Sequence, residues 1–173
     1  MSGVTAIVTG YPKDALSAAP ERLASFAQAF QETVGKFPNG TAMRTVDDTI
    51  RLTWMEVAAQ VERSAGALVT LGLRSGQTFA MMLSNRPEHL ITDLAGMHLG
   101  SIALSVYTSL PAEDIAYVIR DSDARILFTQ QSFLDRVVAA ISKHDVRLDH
   151  LVVLDATDLA SIPGGPNLMT YEQ

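Results

Sequence analysis

Four histidines, His89, His98, His144 and His150, are the side chains best suited to proton transfer near neutral pH or to holding a metal. His89 and His98 fall in one helical stretch but nine residues apart, about half a rotation round, so they cannot face one ion. All four read as ordinary surface or boundary histidines. Gly35-Lys36 has the ending of a phosphate loop but no partner glycine upstream. Neither G-x-x-x-x-G-K-[ST] nor G-x-G-x-x-G occurs, so neither common nucleotide cradle is present, and there is no G-x-S-x-G nucleophile elbow. Asp121, Asp123 and Arg125 gather at a helix end and read as a surface charge group. Gly96 and Gly100 have a spacing that joins helices in membranes; here close helix–sheet packing is the better reading.

The bulk numbers narrow the classes further. The chain has 173 residues, the size of one ordinary domain. It is 47% apolar and 18% charged, which excludes a disordered acidic chain. A net charge of −6 argues against a nucleic-acid groove, which needs a basic face. The absence of cysteine removes disulfides, thiolate chemistry and cysteine-ligated zinc. No segment approaches the roughly 20 apolar residues needed to span a bilayer, and Met1–Asp14 lacks the basic start and long apolar run of a secretory signal. The expected location is the cytoplasm, with membrane contact at most peripheral.

Any chemistry must be positioned by the elements that the periodicity predicts. Residues 1–21 read as a loose leader broken by Pro12 and Pro20. Leu23, Phe26, Ala27, Phe30, Val34 and Phe37 have helical spacing, ended by Pro38-Asn39-Gly40. Two short strands, Thr41–Val46 and Thr49–Leu52, flank a turn at Asp47-Asp48. Thr53 and Glu56 form a capping box for a helix closed by Gly72. Strands follow at Thr78–Leu83, Ile102–Val106, Arg125–Thr129 and Leu151–Leu154. Between them lie three helices. The first starts at an Asn85/Glu88 capping box with Pro87 in its first turn, and is apolar nearly all round, so largely buried. The second opens at Pro111 with Ile115, Val118 and Ile119 inward; the third carries Phe133, Leu134, Val137, Val138 and Ile141. This alternation predicts an α/β fold, a mainly parallel βαβ sheet flanked by helices. The organised region is expected over 22–154, with 155–173 an interrupted linker around Pro163-Gly-Gly-Pro166.

Several runs, taken in order, resemble one family. Leu52-Thr-Trp-Met-Glu-Val57 is similar to a short motif near the start of adenylate-forming enzymes. Leu94-Ala-Gly-Met-His-Leu-Gly-Ser-Ile-Ala-Leu-Ser-Val-Tyr107 is similar to a second, and Tyr107-Thr-Ser-Leu-Pro-Ala-Glu-Asp-Ile115 to the Tyr-x-Thr-Ser-Ser-Pro-Glu-Gln-Ile run of long-chain ligases. Gly72-Leu-x-x-Gly76 and Asn85-Arg-Pro-Glu88 fall between them at family spacing. The chain thus resembles the N-terminal portion of the AMP-forming acyl-CoA synthetases, most closely the long-chain fatty-acid–CoA ligases. Departures are Ser105 where proline is usual, Leu110 for the second serine, Asp114 for glutamine and Gln77 for aspartate.

The resemblance implies a partial N-terminal subdomain of the adenylate-forming fold. For the complete family it implies a fatty acid and ATP giving an acyl-adenylate, then an acyl-CoA, with ATP, Mg and CoA as participants. The family's Thr-Ser-Gly-Thr-Thr-Gly-x-Pro-Lys-Gly phosphate loop, its Tyr-x-Thr-Gly-Asp ribose site and its C-terminal catalytic lysine do not occur in these 173 residues. No catalytic, cofactor-binding or metal residue is therefore assigned, no cofactor is expected on this chain, and it is expected to be inactive alone. The alternatives are a split-enzyme subunit that docks on a separate chain carrying the phosphate loop, and a free-standing acyl-binding module. An exposed apolar patch and self-association are also expected.

Overall fold

The computed structural model describes residues 25–156 and 165–171. The leader over 1–21, and the helical positions before Ser25, lie outside the described residues. The chain divides into two compact units, Met1–Ala67 with Asn85–His98, and Leu68–Ser84 with Leu99–Gln173.

The first unit holds α1 (Phe26–Lys36), the antiparallel pair β1 (Thr41–Arg44) and β2 (Arg51–Thr53), most of α2 (Trp54–Thr70), and α3 (Pro87–His98). Helix α1 starts where the Ser25 hydroxyl accepts the Gln28 N–H, satisfying one free donor of its first turn. The hairpin forms around Asp47-Asp48 as expected, with Asp48 at φ +53 and the Asp47 carboxylate accepting from Thr49. The Thr53/Glu56 box forms in full: Thr53 N–H donates to the Glu56 carboxylate at 2.7 Å, and Glu56 N–H donates to the Thr53 hydroxyl at 3.3 Å.

Two expectations for α3 change. Glu88 does not complete a box with Asn85, because both carboxylate oxygens are taken by the Arg86 guanidinium, the closer at 2.8 Å. The helix is also not buried all round. Ile91, Thr92 and Ala95 are buried, but Leu90 and Met97 lie on an outward face more than a third exposed.

The second unit is built on a five-stranded sheet of β3 (Thr78–Met82), β4 (Ile102–Ser105), β5 (Ile126–Gln130), β6 (His150–Leu154) and β7 (Asn167–Thr170). The order is β4-β3-β5-β6-β7, and every pair is parallel. Strand β7 lies within the segment expected to be linker. Its apolar residues, Leu168 and Met169, are too few to signal a strand before the pairing with β6 is known. Helices α4 (Ala112–Asp121) and α5 (Leu134–Lys143) follow β4 and β5. Ala80, Leu127 and Val153 on one sheet face pack with Ile115 and Ile119 of α4 and Val137 of α5. Leu110 is half-buried against the same core, so the departure from serine there adds apolar contact.

The turn before β3 explains two further residues. Gly72 at φ +92 closes α2, with Leu73 N–H reaching back to the Leu68 carbonyl. The Gln77 side chain accepts the Arg74 N–H at 2.8 Å, closing the turn. Gly100, at φ +66, is needed for its backbone conformation and for room: a Cβ there would lie 2.9 Å from the Ser75 hydroxyl.

Candidate functional site at the carboxyl edge of the sheet

In an open parallel sheet, ligands bind beyond the carboxyl ends of the strands where the strand order reverses. Here the chain steps from β3 to β4 on one side, then crosses back to add β5, β6 and β7 on the other. The reversal therefore lies between the ends of β3 and β5.

There the two strands are bridged by a side chain. Gln130, the last residue of β5, accepts the Ser84 N–H on its amide oxygen at 2.8 Å and donates its amide N–H to the Ser132 hydroxyl at 2.9 Å. Below it, the buried Thr129 hydroxyl donates to the Met82 carbonyl at 3.3 Å, tying β5 to β3. The backbone amide of Ser84 is thus satisfied by a carboxamide oxygen across the reversal of strand order.

Beside this junction, the loop after β4 carries Tyr107, Thr108 and Ser109. Tyr107 is 79% exposed. Arg136 of α5 fixes the loop from below: its Nη1 donates to the Thr108 carbonyl at 2.6 Å and the Leu110 carbonyl at 3.2 Å, and its guanidinium lies over the Phe133 ring. The resulting edge presents hydroxyls and amides, which can orient a polar ligand. The Arg136 charge is spent on two carbonyls.

Sequence reasoning missed Gln130 and Arg136. Neither sits in a motif, and the position of Gln130 acquires meaning only from the strand order. Of the histidines, His89 lies in the first turn of α3, His144 just after α5 and His150 at the start of β6. His98 Nδ1 lies 2.7 Å from the Leu94 carbonyl, so it carries the proton, and Nε2 accepts from the Gln31 amide at 3.0 Å. Its ring meets Phe30 edge-on at 5.5 Å, and Phe30 also meets Trp54 at 6.0 Å. The ring is a packing and hydrogen-bonding element of the first unit. Among the described residues, no three His, Asp or Glu side chains converge as a metal ion requires. Asp93, half-buried on α3, has its carboxyl pushed above the ordinary range by desolvation, partly offset by His89. Among the described residues no helix is long and apolar enough to cross a membrane.

Comparison with known proteins bears on the family and the fold. The family model described as AMP-binding enzyme matches residues 30–165. An uncharacterized protein of Mycobacterium tuberculosis, Rv1549, is 36% identical over 135 residues, covering 78% of this chain and 75% of that protein. The mitochondrial medium-chain acyl-CoA ligase ACSF2 of Rattus norvegicus is 30% identical over 105 residues, 60% of this chain but 17% of that protein. Among solved structures, the anthranilate CoA ligase AuaEII in complex with anthranoyl-AMP superposes with a TM-score of 0.69 at 25% identity, over 86% of this chain and 27% of that one. The chain thus spans about a quarter of the length of that solved enzyme.

Proposed function

The chain belongs to the AMP-binding enzyme family, and from that premise we propose that it is the front portion of a fatty-acid–CoA ligase, inactive alone. The observation that carries the reading is the carboxyl edge. The sheet of the family is present, with its motifs in order, and at the reversal of strand order the Gln130 amide oxygen takes up the Ser84 N–H. In-line attack of a carboxylate on an α-phosphate needs the two groups aligned and the developing charge met by donors. The Tyr107–Ile115 run supports a long-chain fatty acid as the substrate of the complete enzyme, with ATP, Mg and CoA as its other participants.

A second reading, a subunit that docks on a separate chain carrying the phosphate loop, is favoured by one observation. The match to Rv1549 takes in 75% of that protein and 78% of this chain. Self-association is the related proposal, supported by Phe26, Ile102 and Tyr107, each more than half exposed.

The test is pyrophosphate release from ATP-Mg with a long-chain fatty acid. The chain alone is expected to release none. Mixed with a separately expressed chain carrying the phosphate loop, it is expected to co-elute with that chain and to restore release. Pyrophosphate from the chain alone overturns the first reading; failure to co-elute overturns the second.

A further inference from the structure

The opposite edge of the sheet carries a feature that the family reading leaves unused. Arg120 in the last turn of α4, Arg125 just before β5 and Arg147 just before β6 line one cleft of about 260 Å³, together with Asp123 and Asp145. The cleft floor includes the buried Ala124. Three of the chain's 13 basic side chains thus meet at one small depression in a molecule of net charge −6.

Their pairing is incomplete in an informative way. Each arginine has an aspartate one or two residues away: Asp121 beside Arg120, Asp123 before Arg125, and Asp145 before Arg147. Of these three, only the Asp123–Arg125 pair forms, at 3.4 Å between largely exposed groups. Among the described residues, the guanidiniums of Arg120 and Arg147 have no hydrogen-bond or ion-pair partner. With Asp123 committed to Arg125, the cleft keeps Arg120 and Arg147 against the single charge of Asp145, a local excess of positive charge that favours an anion. A guanidinium's planar fork matches a phosphate bidentately, and two uncommitted forks on a shared cleft can grip one phosphate from two sides. The backbone beneath is held in place, since the Arg125 carbonyl accepts both Asp149 N–H at 2.8 Å and His150 N–H at 3.2 Å.

We propose that this cleft is a phosphate-binding site, with Arg120 and Arg147 as the direct ligands and Arg125 held by Asp123 as a supporting cation. The ligand class is a phosphate group, free or carried by a small hydroxylated molecule. Asp145, uncommitted in the same cleft, repels a bare phosphate but accepts from a hydroxyl beside it.

The test titrates the full chain with inorganic phosphate, following backbone amide shifts by NMR, against sodium chloride at matched ionic strength. Saturable shifts confined to residues around 120–125 and 145–149 are expected. The double variant Arg120→Met/Arg147→Met should weaken binding by about tenfold or more, as loss of two charge-assisted contacts implies. Arg63→Met, an exposed arginine of the other unit, should leave it unchanged. Asp145→Asn should tighten binding of inorganic phosphate, and circular dichroism confirms that each variant is folded. Glycerol 3-phosphate binding more tightly than inorganic phosphate to the unmodified chain identifies a hydroxylated phosphomonoester as the ligand; equal binding identifies the free ion. Shifts equal to those in sodium chloride, or shifts that survive in the double variant, overturn the proposal.

Discussion

Replacing Gly100 by alanine tests whether the turn before β4 is dictated by backbone geometry, by space, or by both. Gly100 sits at φ +66, where an L-residue pays roughly 1–2 kcal/mol. Its new Cβ would lie 2.9 Å from the Ser75 hydroxyl, closer than real Cβ atoms come, and rotating that hydroxyl away gives up its 3.3 Å bond to the Gly100 carbonyl, at about 1 kcal/mol. The Gly100 carbonyl also accepts the Gly76 N–H at 2.8 Å, so the turn cannot relax freely away from Ser75. The expected loss is therefore about 2–3 kcal/mol, or roughly 4–12 °C in Tm for a chain of this size. The assay is urea denaturation followed by circular dichroism, because the single tryptophan, Trp54, reports the other unit. In a Ser75→Ala background the hydroxyl is gone, and the next contact, the Ser75 Cβ at 3.8 Å, is ordinary. The cost of Gly100→Ala should then fall by about 1 kcal/mol, leaving the backbone part. Gly72→Ala is the companion, since at φ +92 with nothing within 4 Å it carries a backbone cost alone. An unchanged cost of Gly100→Ala in the Ser75→Ala background would refute the steric half of the argument. A cost under about 0.5 kcal/mol would refute both halves.

Three further outcomes are expected. Glu56→Gln should destabilise at neutral pH: the Thr53 amide and hydroxyl hold the Glu56 carboxyl below its ordinary range, so its contribution is present above the unfolded value and lost as pH falls through the lowered one. Melting curves of both proteins should accordingly converge in acid. Asp93→Asn should have the opposite sign, raising Tm at neutral pH. Burial lifts the Asp93 carboxyl, so the ionised form weakens the fold, and the advantage of the amide should vanish as pH falls below the ordinary carboxylate value. Arg136→Met should release the loop after β4, costing about 1.5–3 kcal/mol for bonds to a charged donor. Faster hydrogen exchange at Leu110, whose N–H is bonded to the Tyr107 carbonyl, would report it; unchanged exchange there would show that the loop holds itself.

The parts of this fold legible in the sequence are those governed by neighbours along the chain. The Thr53/Glu56 box, the Gly72 helix end and the Asp47-Asp48 turn depend on contacts within a few residues, and each formed as its residue types require. The parallel sheet followed from alternation of apolar strands with helices. What failed depended on competition or on distant partners. Glu88 had two suitors, and the Arg86 charge won over an uncharged cap. Strand β7 is short and half-exposed, and takes its order from β6 rather than from its own four residues. The Gln130 bridge became visible only when the strand order placed β5 beside β3.

That strand order also governs how the sheet can be assembled. Strands β3 and β4 pair residues 24 positions apart, as Thr78 with Ile102. Strand β5 then joins β3 across 47 positions, as Ala80 with Leu127, on the side that β4 left open. A chain emerging from the ribosome can close the shorter loop first, at lower entropic cost, but must keep the far edge of β3 vacant until β5 arrives. During that interval the apolar row of Phe79, Ala80, Met81 and Met82 is paired on one side only. Strands β6 and β7 carry no such delay, since each follows its partner by 24 and 17 positions. The longest loop closure in the sheet is thus the capture of β5 by β3, the same junction that the Gln130 side chain spans.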